Sequence, residues 1–312
     1  MAAAPRVIIV AGPTASGKSA LALSLAEGLN GTVINADSIQ CYRDLPILSA
    51  RPTPAEEERA PHRLYGILGP TEMLSATSWA TKAADEIKAA VNQGRQVIVT
   101  GGTGFYLKAL VEGLADIPAV PVEVRAATQE LLKSIGVEAL HARLMACDPV
   151  TASRLKPTDK QRIARAWEVF EATETPLSTW QAQPTIPPIA AQFINVAIQP
   201  ARAELNLACD NRFLAMLQAG ALEDVRLLLS SGVPSTAPVM RALGAQELAR
   251  HLSGELSLAE ATTLAQTATR QYAKRQTTWF RHQFHADYRI ETKYSESLME
   301  KIFPDIRRML LT

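Results

Sequence analysis

The run Gly12-Pro13-Thr14-Ala15-Ser16-Gly17-Lys18-Ser19 constrains the fold more than any other part of this chain. It has the form G-x-x-x-x-G-K-[ST], a phosphate-binding loop that functions between a buried strand and a helix. Both flanks are present. Val7-Ile8-Ile9-Val10 precedes it as an apolar strand, and Ala20 to Glu27 follows as a helix. The two glycines let the backbone wrap a phosphate, and the amides of residues 14 to 19 point inward as donors. Lys18 adds a full positive charge, and Ser19 is placed to ligate Mg²⁺. A ligand with at least a diphosphate is therefore expected. The loop is of the nucleotide- and ATP-binding type, but it does not by itself say that the ligand is a nucleotide.

The first 115 residues or so alternate strands and helices. Thr32 to Ala36 and Gln96 to Thr100 read as further strands, the latter after a helix near residues 78 to 93. Ligands of parallel sheets sit at the carboxyl ends of strands. Those ends here are the phosphate loop, Asp37-Ser38 and Gly101-Gly102-Thr103-Gly104, so three polar turns collect on one edge. From about 117 to 182 the pattern becomes helical, with Ile163, Trp167 and Phe170 forming an apolar stripe beside Ala166. A strand returns at Gln192 to Ile198, followed by helices near 200 to 220, 221 to 231, 241 to 253 and 258 to 284. The expected fold is α/β: a P-loop NTPase-like parallel sheet flanked by helices, with an inserted helical domain. The expected boundaries are 1–116 and 185–312 for the core and 117–184 for the insertion.

Net charge is +1, so an anionic partner has to be sought in local clusters. From Ala261 to Ala286 there is no acidic residue, while Arg270, Lys274 and Arg281 fall on one helix face. Arg154, Lys156, Lys160, Arg162 and Arg165 cluster in the insertion. Aromatics nearby (Trp167, Tyr272, Trp279, Phe280) suit stacked bases beside a phosphate backbone; solvated helix faces over core aromatics explain the same pattern. Three scattered cysteines, Cys41, Cys147 and Cys209, form neither a disulfide framework nor a zinc pattern. With no signal peptide and no membrane-length apolar run, the expected location is the cytoplasm and the expected state a monomer.

Six segments, in order, carry a resemblance to the bacterial tRNA dimethylallyltransferase (tRNA isopentenyltransferase) family. They are Gly12 to Ser19, Asp37-Ser38-Ile39-Gln40-Cys41-Tyr42, Pro61 to Leu64, Gly101 to Leu110, Asp159 to Val169 and Lys274-Arg275-Gln276-Thr277-Thr278-Trp279-Phe280-Arg281. The resemblance implies transfer of a five-carbon allylic group from dimethylallyl diphosphate. The acceptor would be the exocyclic amine of the adenosine 3′-adjacent to the anticodon, in tRNAs reading codons that begin with U. It also implies that the phosphate loop serves a prenyl diphosphate, with Mg²⁺ as cofactor. Lys18 and Arg212 would complete a diphosphate cradle; without the resemblance Arg212 is an ordinary helix arginine. Asp37 would be the base toward the amine, although its position alone equally suits a turn cap. Ser38, Ile39, Gln40 and Thr103 would shape the base site. Arg125, Gln161, Arg162, Ile163, Ala164, Arg165, Lys274, Arg275 and Arg281 would contact the anticodon stem-loop. His282 and His285 lack the neighbours of a metal site.

Three departures from the family pattern stand out. Leu48-Ser49-Ala50-Arg51-Pro52 replaces Gly-Thr-Ala-Lys-Pro, Ala208 replaces an arginine, and Gly244-Ala245-Gln246 replaces Gly-Tyr-Arg. They are expected to affect tRNA contact more than the reaction. Rival readings are a small-molecule kinase, an adenylate isopentenyltransferase acting on free AMP, ADP or ATP, and a nucleotide-dependent RNA-binding protein.

Overall fold

The computed structural model describes residues 4–311. Six parallel strands form one sheet: β1 (Arg6–Ala11), β2 (Gly31–Asn35), β3 (His62–Arg63), β4 (Gln96–Gly101), β5 (Gln192–Ile198) and β6 (Tyr288–Ile290), in the order β3-β2-β4-β1-β5-β6. β1 lies between β4 and β5, with Ile8 opposite both Ile98 and Ile194. Val7 to Ala11 are 0% exposed, as a parallel strand covered on both faces must be. The core on one face joins Ile8, Val10 and Ile98 to Leu21 and Leu25 of the helix Lys18–Gly28 and to Ile302 and Ile306 of the helix Glu296–Met309. β3 and β6 escape the sequence reading because two or three residues carry no alternation signal.

The chain divides into two compact units. One runs to Val111 and resumes at Pro188; the other is Glu112–Pro187. The second unit is helical throughout, with helices Val122–Ile135, Val137–Cys147, Pro149–Arg154, Lys160–Thr173 and Leu177–Gln181. Its core buries Leu140, Leu144, Ile163, Ala166 and Val169. The expected stripe is thus shifted: Val169 is fully buried, whereas Trp167 and Phe170 are only partly so, their rings 6.3 Å apart. Small Ala166 admits the close helix approach that leaves the larger rings at the margin. Asp148, buried, accepts from the Thr151 N–H at 3.0 Å and from the Ser178 N–H and hydroxyl at 3.0 and 2.7 Å. One carboxylate therefore caps one helix and anchors the start of another.

Helix starts elsewhere follow their sequence signals. Thr53 with Glu56, and Ser257 with Glu260, form reciprocal capping boxes. Among the described residues no helix is long and apolar enough to cross a membrane.

Candidate active site at the strand ends

The phosphate loop leaves β1 and turns into its helix at Gly17, whose φ of 92° is costly for any residue with a side chain. A Cβ at Gly12 would lie 2.6 Å from the Ile198 carbonyl oxygen and 2.9 Å from Ser16 Oγ. The loop is therefore packed against the end of β5. Ser16 is completely buried, and its Oγ has no hydrogen-bond partner among the described residues. Buried hydroxyls are seldom left unpaired, so this atom marks a place where a ligand oxygen fits.

Lys18 is 8% exposed, and its Nζ donates to the Pro13 carbonyl at 3.3 Å. Burial pulls its ammonium down to about 8; Asp37 draws it back up, while Arg212 pushes it further down. Arg212, from the helix Arg202–Gln218, is held below its ordinary value by burial, opposed by Asp37 and Cys209. Two cationic heads thus face one another at the loop, and neither forms an ion pair with a described residue. Their mutual cost is relieved by an anion between them.

Asp37 follows β2. Its backbone N–H donates to Asn35 Oδ1 at 2.8 Å, and Asn35 Nδ2 donates to the Asp37 and Leu64 carbonyls, both at 3.0 Å. Asn35 is fully buried and fixes the turn from below. Asp37 Oδ1 accepts the Ile39 N–H at 3.0 Å, while Oδ2 accepts no hydrogen bond from the described residues. One oxygen caps the turn and the other stays open. Thr103 joins this turn to the end of β4: its Oγ1 accepts the Ser38 N–H at 3.0 Å and lies 3.4 Å from Ser38 Oγ. A Cβ at Gly101 would collide with the Ala36 carbonyl, which explains the glycine in the adjoining strand end. Tyr65 and Tyr272 both keep their phenol protons, raised by burial first and by Asp37 second. Cys41 is pushed up to about 12 by burial and then by Asp37, so it stays a thiol.

Gln276, on the helix Leu258–Gln283, links these pieces. Its Oε1 accepts the Thr14 N–H at 2.8 Å, and its Nε2 donates to the Gly102 carbonyl at 2.8 Å. A single buried amide therefore fixes the spacing between the phosphate loop and the β4 turn. The same helix crosses so closely that a Cβ at Gly104 would overlap the Trp279 ring.

The structure thus brings Gly12 to Ser19, Asp37, Ser38, Ile39, Thr103 and Arg212 to one edge of the sheet. Gln40 continues the same turn, its Nε2 donating to the Ser49 and Ala50 carbonyls at 3.1 and 2.6 Å. Arg270 departs from the expected basic face, because Asp210 pairs with it. Lys274, Arg275 and Arg281 are exposed, Arg275 with its guanidinium 5.6 Å from the centre of the Tyr272 ring. In the helical unit, Ile163 and Ala164 are core residues, whereas Gln161 and Arg162 are exposed. Arg165 is lowered by burial, with Glu168 opposing and Arg125 adding to the shift, so Arg125 and Arg165 share the field of one carboxylate. Asn35, Tyr65 and Gln276 were not assigned roles from sequence. Only Gln276 had a signal, as part of the Lys-Arg-Gln segment.

Two of the departures meet in space. Leu48 is buried, and its Cδ1 would lie 3.4 Å from a Cβ on Gly244, beside Phe213. Ala245 is also fully buried.

The parallel sheet flanked by helices is a P-loop NTPase-like fold, and its strand ends carry the loop, two cations without ion-pair partners among the described residues and an open carboxylate oxygen. Residues 40–283 match the family model described as IPP transferase, and the chain belongs to that family. It is similar to the tRNA dimethylallyltransferase of Rhodospirillum centenum, 55% identical over 292 residues and 93% of each chain. It is similar in structure to the tRNA isopentenylpyrophosphate transferase of Bacillus halodurans, with a TM-score of 0.70, 29% identity and coverage of 99% of this chain and 97% of that one. A eukaryotic dimethylallyltransferase acting on tRNA superposes with a TM-score of 0.79 and 26% identity, over 97% of this chain and 80% of that one.

Proposed function

We infer that this chain is a tRNA dimethylallyltransferase: it moves the dimethylallyl group of dimethylallyl diphosphate onto the exocyclic amine of an adenosine in tRNA. The observation that carries the reading is the pairing, on one sheet edge, of an anion cradle with an open carboxylate oxygen. Family membership and the relatives' names supply the substrates. The acceptor adenosine is assigned to the position 3′-adjacent to the anticodon, in tRNAs reading codons that begin with U.

In the reaction the amine nitrogen bonds to C1 of the allyl group as the C1–O bond to diphosphate breaks. The departing diphosphate carries the developing negative charge. Lys18, Arg212, the loop amides and Ser16 Oγ are the groups to stabilise it, and preorganised donors of this kind act where charge develops. The adenine amine is a weak nucleophile, and its proton passes to Asp37. With Oδ1 tied to the Ile39 N–H, Oδ2 is the atom free to take it. Thr103 holds the Ser38 turn against β4 and so fixes where the base sits. Reaching the amine requires the base to leave its stack.

A magnesium ion fits the donor set modestly. Ser19 is exposed on the first helical turn, and no three of His, Cys, Asp and Glu converge as a metal group among the described residues. That suits an ion held by one hydroxyl and the diphosphate oxygens, the usual habit of Mg²⁺. Such an ion would neutralise part of the leaving group's charge. Lys274, Arg275 and Arg281, together with Arg125, Gln161, Arg162 and Arg165 of the helical unit, are the proposed contacts to the anticodon stem-loop.

The test is transfer of label from radioactive dimethylallyl diphosphate, with unmodified tRNA and free AMP offered in parallel. Label on tRNA alone is expected. Label on AMP alone would move the chain to the adenylate-prenylating class. ATP hydrolysis without transfer to either would leave a phosphate-loop protein of another kind.

A further inference from the structure

A second concave site adjoins the catalytic edge, where Leu205 of its lining belongs to the cluster that Ala15 of the phosphate loop packs against. Beyond the ends of β5 and β6, a cavity of about 610 Å³ opens between the start of the helix Arg202–Gln218 and the exposed face of the helix Leu258–Gln283. Four cations line it, Arg202, Lys274, Arg281 and Arg289, against one carboxylate, Glu291. None of the four forms an ion pair with a described residue. Arg289 Nη1 instead reaches Gln199 Oε1 at 3.4 Å. Among the described residues the buried Gln199 Nε2 beside the cavity has no partner, and the helix beginning at Arg202 has no side-chain cap. Cations without counter-ions, an unused amide donor and uncapped helix amides all favour one kind of occupant, an anion.

The spacing favours a polymer. Lys274 and Arg281 are seven residues apart on one helix, about 10 Å along its axis at about 1.5 Å per residue. That spans roughly three nucleotides of a stacked strand at about 3.4 Å each. Arg202 and Arg289 come from separate elements and extend the basic lining across the sheet end. The helix that carries Lys274 and Arg281 into the cavity also carries Gln276 into the catalytic edge, so one element serves both.

We propose that this cavity seats RNA backbone phosphates, with Arg202 and Arg289 as further contacts to the acceptor tRNA; the proposal rests on the tRNA reading above. Among the described residues no hydrogen bond or ion pair joins Arg202 or Arg289 to the phosphate loop or Asp37, so the part assigned to them is to bind and not to react.

The experiment measures tRNA binding by anisotropy across a KCl series, alongside label transfer, for wild type and the Arg202→Gln/Arg289→Gln double variant. Each lost phosphate contact lowers the slope of log K against log salt by about 0.7–0.9. The double variant should therefore lose about 1.5 units of slope. Its KM for tRNA should rise about tenfold or more at low salt, while KM for dimethylallyl diphosphate and kcat at saturating tRNA hold. The Arg202→Lys/Arg289→Lys variant should keep the wild-type slope, which separates charge from folding. An unchanged slope in the Gln variant overturns the proposal, as does a loss confined to kcat. Inorganic diphosphate binding that is lost in the Gln variant without a change in tRNA slope would make this a small-anion site and also overturn it. Failure of wild type to label tRNA would instead strike the functional reading, and the proposal would fall with it.

Discussion

Gln276→Leu removes one side-chain amide and breaks the only described bridge from the phosphate loop to the β4 turn. Leucine fills nearly the same volume, so the perturbation is the loss of two hydrogen bonds, both 2.8 Å long, at a residue 6% exposed. The Thr14 N–H and the Gly102 carbonyl are left without their partner. Each such group costs about 1–3 kcal/mol, so a destabilisation of roughly 2–6 kcal/mol is expected. The catalytic loss should be separate and larger than the unfolded fraction explains. A shift of about 1 Å between reacting groups costs on the order of 10²-fold, and Gln276 sets the distance between the loop that holds the leaving group and the turn beside Asp37. The assay is single-turnover label transfer to tRNA on protein shown to be folded by its circular dichroism. A fall in rate of about 10²-fold is expected, with a smaller change in either KM. Gln276→Glu supplies an internal control. Its carboxylate still accepts from Thr14 but repels the Gly102 oxygen, and protonation restores a donor. Its rate, relative to wild type, should rise as pH falls. A Gln276→Leu rate within twofold of wild type, or a Glu variant with no relative pH dependence, would refute the reasoning.

Burial holds Lys18 near 8, against 10.5 in an unfolded chain. Below pH 8 the folded chain carries the ammonium that binds diphosphate; above it, affinity for inorganic diphosphate should drop about tenfold per pH unit. Stability should move the other way between pH 8 and 10.5, because the unfolded chain binds the extra proton there and the cost of burying the charge is relieved. Titration calorimetry and urea melts across that window check both signs, and parallel trends would contradict the assignment. Asp37→Asn should lower the single-turnover rate by roughly 10²–10⁴-fold while tRNA still binds; an equal loss of tRNA affinity would make it a binding residue. In the helical unit, burial raises Asp148, but its hydrogen bonds from Thr151 and Ser178 outweigh this and leave it below its ordinary value. Its stabilisation is present above the unfolded carboxyl range and lost as pH falls through the folded value. Asp148→Ala should cost about 2–4 kcal/mol at neutral pH and flatten the acid limb of a denaturation curve.

Much of the site was legible because it is local. A phosphate loop announces itself in eight residues, and the position of Asp37 and Thr103 follows from where β2 and β4 stop. What escaped the sequence is non-local or too short to have a period. Gln276 meets Thr14 across 262 residues, and no pattern at either position encodes that meeting. β6 has three residues and exists as a strand because β5 offers it an edge. Gln40 follows Asp37 in the chain, and the tie of its Nε2 to the Ser49 and Ala50 carbonyls, nine and ten residues on, carries no sequence signal. The basic cavity is assembled from β6, two helices and a strand end, so its charges lie far apart in the chain.

The strand order also sets a schedule for synthesis. β1 is made first, yet its partner β5 emerges only some 180 residues later, from Gln192 onward. Until then one side of β1 presents unpaired backbone along Val7 to Ala11, the most apolar segment of the sheet. An open apolar edge of this kind invites pairing with other chains. The nascent chain thus passes through a long interval in which its central strand is an edge strand, and holdase chaperones that cover such edges should raise the yield of folded protein.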